Sequence, residues 1–212
     1  MAYSDFTLSD LQTQFGIRNQ VVDLFDDSSI QPLKLSDFLI QQLQEAEELP
    51  IKSEKARSEL IISPILLELR RINNKFFTIY SGDVLVADRT RGLVGECDFI
   101  LAKETGSFSI NMPIITIVEA KKQDIELGIN QCAAQLYGAK IFNEKSETIL
   151  PKIYGCVTTA DNWKFMSVEN NLIIIDNTTY YKSEIGKVLS IFQEMINYYK
   201  IILVEQTNPQ FN

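Results

Sequence analysis

Apolar residues recur along this chain with two periods, which predict where its strands and helices lie. A side chain changes face at every residue in a strand, whereas in a helix it returns to the same face every three to four residues. Strands are therefore predicted at 76–80, resuming at 84–87, then at 93–102, 114–122 and 153–159, and in two short segments at 163–166 and 172–175. Helices are predicted at 53–71, 125–142 and 183–203, with two shorter ones within residues 1–50.

Polar residues and a proline define the predicted start and course of the helix at 53–71. Ser53 is an N-cap candidate, because a serine hydroxyl can accept a hydrogen bond from a free N–H of the first turn. Pro64 is expected either to kink the helix or to begin a second one, with Ser63 as its cap.

The order of these elements predicts the fold class. A helix, three antiparallel strands, a helix and a further strand, followed by a hairpin and a long helix, predict an α/β (α+β) fold around a mixed sheet. Residues 1–50 are predicted to form an acidic, helical N-terminal appendage that helps to cover the core. Residues 51–205 are predicted to form the core domain, and residues 206–212 a disordered tail.

One predicted strand ends in charged residues. Within IITIVEAKK, residues 114–122, Glu119 and Lys121 follow a run of apolar and β-branched residues and lie on the same face of the strand. Buried charge is costly unless it is paired, hydrogen-bonded or bound to metal, so this strand end is a candidate site. If strands 93–102 and 114–122 form a hairpin around the polar loop between them, Asp98 can lie opposite Glu119.

Two residue types narrow the possible chemistry. The chain has no histidine, which excludes serine–histidine–aspartate triads, cysteine–histidine pairs and every imidazole base. Cys97, Cys132 and Cys156 are widely spaced in apolar stretches and are predicted to be reduced core thiols, which argues against disulfides and against a zinc site. Catalysis would have to use carboxylates, lysine, cysteine, tyrosine or metal.

Length and hydropathy predict a soluble cytoplasmic protein. The 212 residues are 45% hydrophobic, which is enough for a substantial core in one domain. No stretch approaches the roughly 20 apolar residues of a membrane span. The N-terminal sequence lacks the pattern of a signal peptide, and no membrane interaction is expected.

The net charge of −8 argues at first against a nucleic-acid partner, because phosphate contacts require Lys and Arg. The negative charge is concentrated in the N-terminal segment. Residues 1–50 contain two basic and nine acidic residues, whereas the remaining 162 contain 18 basic and 19 acidic residues. The rest of the chain could therefore still present a basic groove to nucleic acid.

The combination of Asp98 on one strand and Glu119-Ala120-Lys121 on the next resembles the motif of the PD-(D/E)XK nuclease superfamily, also called restriction endonuclease-like. The resemblance covers residues 53–165. The segments SEKARSELIISPILLEL and KIYGCVTTADNWKFM are similar to the type I restriction-subunit-like branch. The resemblance implies an αβββαβ core with helices on both faces of a central mixed sheet.

The same resemblance implies a site that hydrolyses phosphodiester bonds of nucleic acid, with DNA favoured. The residues that would hold Mg²⁺ or Mn²⁺ through their oxygen atoms are Asp98, Glu119, Ala120 and Glu54. The residues that would carry catalysis are Lys121, Glu119, Asp98 and Gln131. Lys121 would position or activate the attacking water, and Gln131, with Gln135 as the second candidate, would orient the substrate or Lys121. The resemblance also allows a homodimer, because many relatives dimerise to cut both strands; the sequence identifies no interface for it.

Two positions depart from the family pattern. Cys97 precedes Asp98 where the family has proline. The glutamine–tyrosine pattern after the lysine appears as Gln131-x-x-x-Gln135, and two glutamines at this helical spacing usually form a solvated pair. Two other interpretations stay open. One is a catalytically inactive domain of this fold that serves as a binding or assembly module; the other is a different α/β fold in which the charged residues form a cross-strand salt-bridge cluster.

Overall fold

The computed structural model describes residues 1–104, 106–110, 112–145 and 150–207, with side chains described as far as Leu203. The predicted disordered tail, residues 206–212, falls mostly outside this range. Its first two residues are the last residues of a helix that ends at Thr207.

Within the described residues, eight strands form one open sheet. They are β1 (Arg18–Val22), β2 (Phe77–Asp88), β3 (Leu93–Lys103), β4 (Ile114–Ala120), β5 (Lys152–Thr158), β6 (Asn162–Glu169), β7 (Leu172–Asp176) and β8 (Tyr180–Tyr181). The order across the sheet is β1-β7-β6-β5-β4-β3-β2, and β8 pairs with β6. β1 runs parallel to β7 and β4 parallel to β5, whereas the other pairs are antiparallel. The mixed sheet is therefore as predicted.

The described residues form six α-helices. They are α1 (Leu8–Phe15), α2 (Asp37–Glu47), α3 (Glu54–Arg57), α4 (Ser63–Ile72), α5 (Ile125–Glu144) and α6 (Ile185–Thr207). A π-helical turn, Ser58–Ile62, joins α3 to α4. Among these described helices, none combines the length and the apolar character needed to cross a membrane.

Helices cover both faces of the sheet, as the αβββαβ arrangement implies. Gly155 on β5 faces α5, since a Cβ built there would lie 2.9 Å from the sulfur of Cys132. The ring of the preceding residue, Tyr154, packs edge-on against Tyr199 of α6, with ring centroids 5.9 Å apart. Successive side chains of a strand point to opposite faces, so α5 and α6 lie on opposite sides of β5.

The helical region that precedes β2 is continuous through Pro64. Ser53 caps its start as predicted, because its hydroxyl oxygen accepts a hydrogen bond from Ala56 N–H at 3.0 Å. The expectation that Ser63 caps a second helix is wrong: Ser63 has helical backbone angles, and its N–H donates to the carbonyl of Ser58. A wider π-helical turn at this point accommodates the proline, which has no N–H to donate.

Residues 1–50 contribute a strand as well as the two predicted helices. Arg18–Val22 forms β1 at one edge of the sheet. Before it, Tyr3 and Leu11 are buried in the core, and the Tyr3 hydroxyl donates a hydrogen bond to the carbonyl of Leu93 at 3.1 Å. This segment therefore packs into the core of the protein.

The strand that was predicted in two pieces is continuous. β2 pairs with β3 on both sides of Gly82, which lies in the predicted break between 76–80 and 84–87. Gly82 has a φ of +70°, which glycine adopts without the steric penalty of other residues. The residue thus bends β2 locally and leaves its pairing intact.

Candidate active site

Strands β3 and β4 pair in the register expected from the sequence. Phe99 lies opposite Val118, and the same register places the preceding residue, Asp98, at the level of Glu119. The Asp98 carboxylate accepts a hydrogen bond from the Ala120 N–H, with 2.7 Å between Oδ2 and N. Asp98 is thus fixed directly to the strand that carries the Glu-Ala-Lys motif.

Glu119 lies at the centre of the predicted site and is 1% exposed. Its Oε1 accepts a hydrogen bond from Lys121 Nζ at 2.7 Å, and its Oε2 accepts one from Gln135 Nε2 at 2.8 Å. Lys121 Nζ also donates to Gln131 Oε1 at 3.0 Å. The structure therefore brings together Glu119, Lys121 and Gln131, and adds Gln135 as a direct partner of the carboxylate.

Gln135 is completely buried, so the interpretation of the two glutamines as a solvated pair is wrong for this residue. Its Nε2 also lies 3.3 Å from the carbonyl of Glu96 on β3. One buried amide group thus contacts both β3 and the Glu119 side chain on β4. Side-chain amides in this position fix the orientation of a carboxylate without contributing charge.

Glu54 lies beside the same strand end. Its Oε2 accepts a hydrogen bond from the Lys122 N–H at 3.1 Å. Its charge adds to the larger effect of burial in raising the pKa of Asp98, and adds to the larger effect of Glu119 in raising the pKa of the Lys121 ammonium. The helix α3 therefore places an acidic residue beside the end of β4.

Arg57 is a part of the site that the sequence did not single out. One turn after Glu54, its guanidinium donates through Nη1 to the carbonyl of Thr159 and to the Asp161 carboxylate, which is 2.7 Å away. Thr159 directly follows β5. The carbonyl of Thr158, the last residue of β5, accepts a hydrogen bond from the Lys121 N–H at 2.8 Å. Through these bonds the first helical turn is attached to the carboxyl ends of both parallel strands.

Gly128 on α5 provides the space that the lysine side chain occupies. A Cβ built at this position would lie 2.4 Å from Cγ1 of Val157 and 2.9 Å from Cγ of Lys121. Only a residue without a side chain allows α5 to approach the sheet this closely while the Lys121 chain passes over it. The sequence pattern gave no indication of this contact.

Burial and charge repulsion set the ionisation of the site. Burial is the largest influence on Glu119 and, together with the charge of Asp98, raises its pKa to about 7. Burial also raises the pKa of Asp98, against the opposing effect of the Ala120 N–H. Burial disfavours the charged Lys121 ammonium, but the neighbouring carboxylates, above all Glu119, outweigh this and raise its pKa. The lysine therefore stays protonated at neutral pH, and the carboxyl groups would gain from a further cation.

The donor atoms of this cluster suit Mg²⁺ or Mn²⁺, which prefer carboxylate, carbonyl and water oxygens. No group of three or more His, Cys, Asp or Glu side chains with the arrangement of a metal site occurs in the described parts of the chain. Asp98 and Glu119 would be the main protein ligands of such a cation, with the Ala120 carbonyl and water completing the set. Burial, together with the charge of neighbouring carboxylates, raises the pKa of both carboxyl groups, and a bound cation would favour their ionised forms.

The cysteines do not contribute a nucleophile. Cys97, Cys132 and Cys156 are free and buried, as predicted, and burial raises the pKa of each thiol. A thiol is a nucleophile only as the thiolate, so none of the three is reactive at neutral pH.

No protein-family model, curated protein or solved structure matches this chain. The function is accordingly inferred from the geometry and chemistry of its own residues.

Proposed function

We propose that this protein is a metal-dependent nuclease that hydrolyses phosphodiester bonds of nucleic acid, with DNA as the favoured substrate. The observation that carries the proposal is the convergence of Asp98, in the middle of β3, with Glu119 and Lys121 at the end of β4. Glu54 and Gln131 lie against the same group. The resemblance of the sequence to the PD-(D/E)XK superfamily supports the same assignment.

Phosphodiester hydrolysis requires three things of a site. The negative charge of the phosphate must be neutralised, a water must be oriented for attack, and the leaving oxygen must be stabilised. A bound Mg²⁺ would polarise the phosphate and lower the pKa of a coordinated water. Asp98 and Glu119, with the Ala120 carbonyl, are the residues that would hold it.

Lys121 supplies the positive charge on the protein side. Its ammonium is held between Glu119 Oε1 and Gln131 Oε1, so its position is defined by two hydrogen bonds. Because its pKa is raised, the group acts as a hydrogen-bond donor and a fixed charge. It would orient the attacking water and offset the charge that develops on the phosphate, and it would not serve as the base.

The proposal is tested by incubating the purified chain with single-stranded DNA, double-stranded DNA and RNA in Mg²⁺, in Mn²⁺ and in EDTA. Cleavage should require the metal. It should fall by about 10²- to 10⁴-fold in Lys121→Met and Asp98→Asn, since each change removes a group that acts on the transition state. Lys140→Met is the matched control, because Lys140 pairs with Glu144 on the same helix as Gln131 but away from the site.

Two outcomes contradict the nuclease proposal. One is the absence of cleavage of all three nucleic acids by the wild-type chain in either metal. The other is cleavage that survives in Lys121→Met and Asp98→Asn. In the first case, titration with Mn²⁺ of the wild-type chain and of Glu119→Gln would show whether the cluster still binds metal, as expected of a binding module that has lost catalysis.

A further inference from the structure

Strand β1 leaves an open hydrogen-bonding edge on the sheet. All five of its residues are exposed, and in the described part of the chain its outer side pairs with no other strand. The opposite edge, β2, is bent at Gly82, where φ is +70°, and carries Asp83 beside it, features that discourage pairing between chains. The unprotected edge of this protein is therefore β1.

The backbone groups that point outward from β1 follow from its pairing with β7. The Arg18 N–H donates to the carbonyl of Asn171, just before β7, at 2.9 Å. The carbonyl of Val22 accepts a hydrogen bond from the N–H of Asn177, just after β7, at 2.8 Å. Backbone groups of successive strand residues point in alternate directions. The outward N–H and C=O groups are therefore those of Asn19 and Val21.

The two ends of this edge carry opposite charge. Arg18 begins β1 and forms no ion pair with any described residue. Asp23 and Asp26 follow the other end of the strand, and within the described residues they also lack a cationic partner. A strand that is basic at its start and acidic at its end is complementary to a copy of itself only in the antiparallel orientation.

We propose that β1 is a self-association surface, on which a second copy of this chain docks its own β1 antiparallel about a two-fold axis at Gln20. Asn19 of each copy exchanges hydrogen bonds with Val21 of the other, and Arg18 of each copy lies at the acidic end of the other strand. The contact is isologous, as in most homodimers. It is short, so the dimer forms only at micromolar or higher concentration.

The first test is analytical ultracentrifugation of the full chain from low micromolar to several hundred micromolar. The wild-type chain should change from monomer to dimer over this range. Val21→Lys should raise the dimer Kd by about tenfold or more. Val84→Lys is the matched control, because Val84 on β2 is 53% exposed and Val21 is 59% exposed. A wild-type chain that stays monomeric, or an equal effect of both substitutions, overturns the proposal.

The second test distinguishes the antiparallel arrangement from other contacts. Arg18→Glu and Asp23→Arg should each weaken self-association, because each homodimer then places like charges together. An equimolar mixture of the two variants should dimerise again, since both contacts become complementary in the mixed pair. Failure of the mixture to recover dimer rejects the antiparallel two-fold contact.

A cysteine at the proposed axis provides an independent readout. Gln20 of one copy would lie opposite Gln20 of the other as a non-hydrogen-bonded antiparallel pair. The Cα atoms of such a pair are about 4.5 Å apart, which is within the range of a disulfide. Oxidation of Gln20→Cys should give a covalent dimer, whereas Val22→Cys, two residues away, should not. The native cysteines are buried and do not compete. Equal crosslinking of both variants, or none of Gln20→Cys, contradicts the model of the axis.

Discussion

Replacing Gly128 with alanine tests how tightly α5 packs over the lysine of the candidate site. The added Cβ would lie 2.4 Å from Val157 Cγ1 and 2.9 Å from Lys121 Cγ. Carbon atoms are in favourable contact at about 3.5 to 4.0 Å, so both neighbours or the helix must move. Val157 is completely buried and Lys121 is held by two hydrogen bonds. The expected result is a displacement of α5 together with the lysine.

The size of the effect is the difference between two opposing terms. Alanine is preferred over glycine inside a helix by about 1 kcal/mol. Overpacking of a close-packed core costs about 1 to 3 kcal/mol, and a contact more than 1 Å too short belongs in the upper part of that range. The free energy of unfolding should fall by about 1 to 2 kcal/mol. In a chain of this size that corresponds to a decrease in Tm of about 2 to 8 °C.

The assay combines thermal unfolding with cleavage, and Gly138→Ala is the control. That substitution is on the same helix, about 15 Å further along, where a Cβ would meet the hydroxyl of Tyr3 at 2.2 Å. Both variants should lose stability, but only Gly128→Ala should also lose cleavage. The reasoning is refuted if Gly128→Ala unfolds at or above the wild-type temperature. It is also refuted if cleavage falls no more than in Gly138→Ala.

Three further predictions concern the charged residues of the site. Between pH 4.5 and about 7 the free energy of unfolding of the metal-free protein should fall as pH rises, because folded Glu119, with a pKa of about 7, keeps a proton that the unfolded chain releases. Glu119→Gln should reduce this slope in urea denaturation at several pH values; an unchanged slope would contradict the assignment. Gln135→Leu should weaken Mn²⁺ binding by about 10- to 100-fold in calorimetry, and unchanged affinity would show that Gln135 does not position the carboxylate. Arg57→Ala should lower the free energy of unfolding by about 2 kcal/mol, since the hydrogen bond of Arg57 to Asp161 is charge-assisted. A change near zero, as for an exposed surface pair, would show that Arg57 does not attach α3 to the end of β5.

The pairing of β3 with β4 could be predicted because its determinants are local. Both strands carry apolar residues with clear periodicity, and the polar loop between them is short enough to define the register that brings Asp98 to Glu119. A shift by one residue would turn every side chain to the other face. The same reasoning placed α5 and β5 correctly, since each has a buried face of small or branched residues.

Strand β1 could not be predicted in the same way. Its sequence, RNQVV, has no alternation of apolar and polar residues, because neither face is buried. It exists as a strand through parallel hydrogen bonds to β7, which lies almost at the other end of the chain. Such pairing leaves no pattern in a five-residue segment, and local propensity is overridden by tertiary contacts.

Arg57 and Gly128 were not identified for a related reason. The role of Arg57 depends on a backbone carbonyl, that of Thr159, and carbonyl groups have no residue-specific signature in a sequence. The role of Gly128 depends on the distance between α5 and the sheet, which the helical period alone does not specify. Residues that act through backbone contacts or through the absence of a side chain become visible only in the folded structure.

The energetics of the cluster bear on why these residues lie together. Glu119 and Gln135 are almost completely buried, and Gln135 Oε1 has no hydrogen-bond partner among the described residues. An unsatisfied buried acceptor costs about 1 to 3 kcal/mol, and a buried ion pair such as Lys121 with Glu119 is often no more stabilising than apolar residues of the same volume. The cluster is therefore a poor means of stabilising the fold. Local cost of this kind is typical of residues arranged for a ligand, in agreement with the proposed binding of a cation between the two carboxylate-bearing strands.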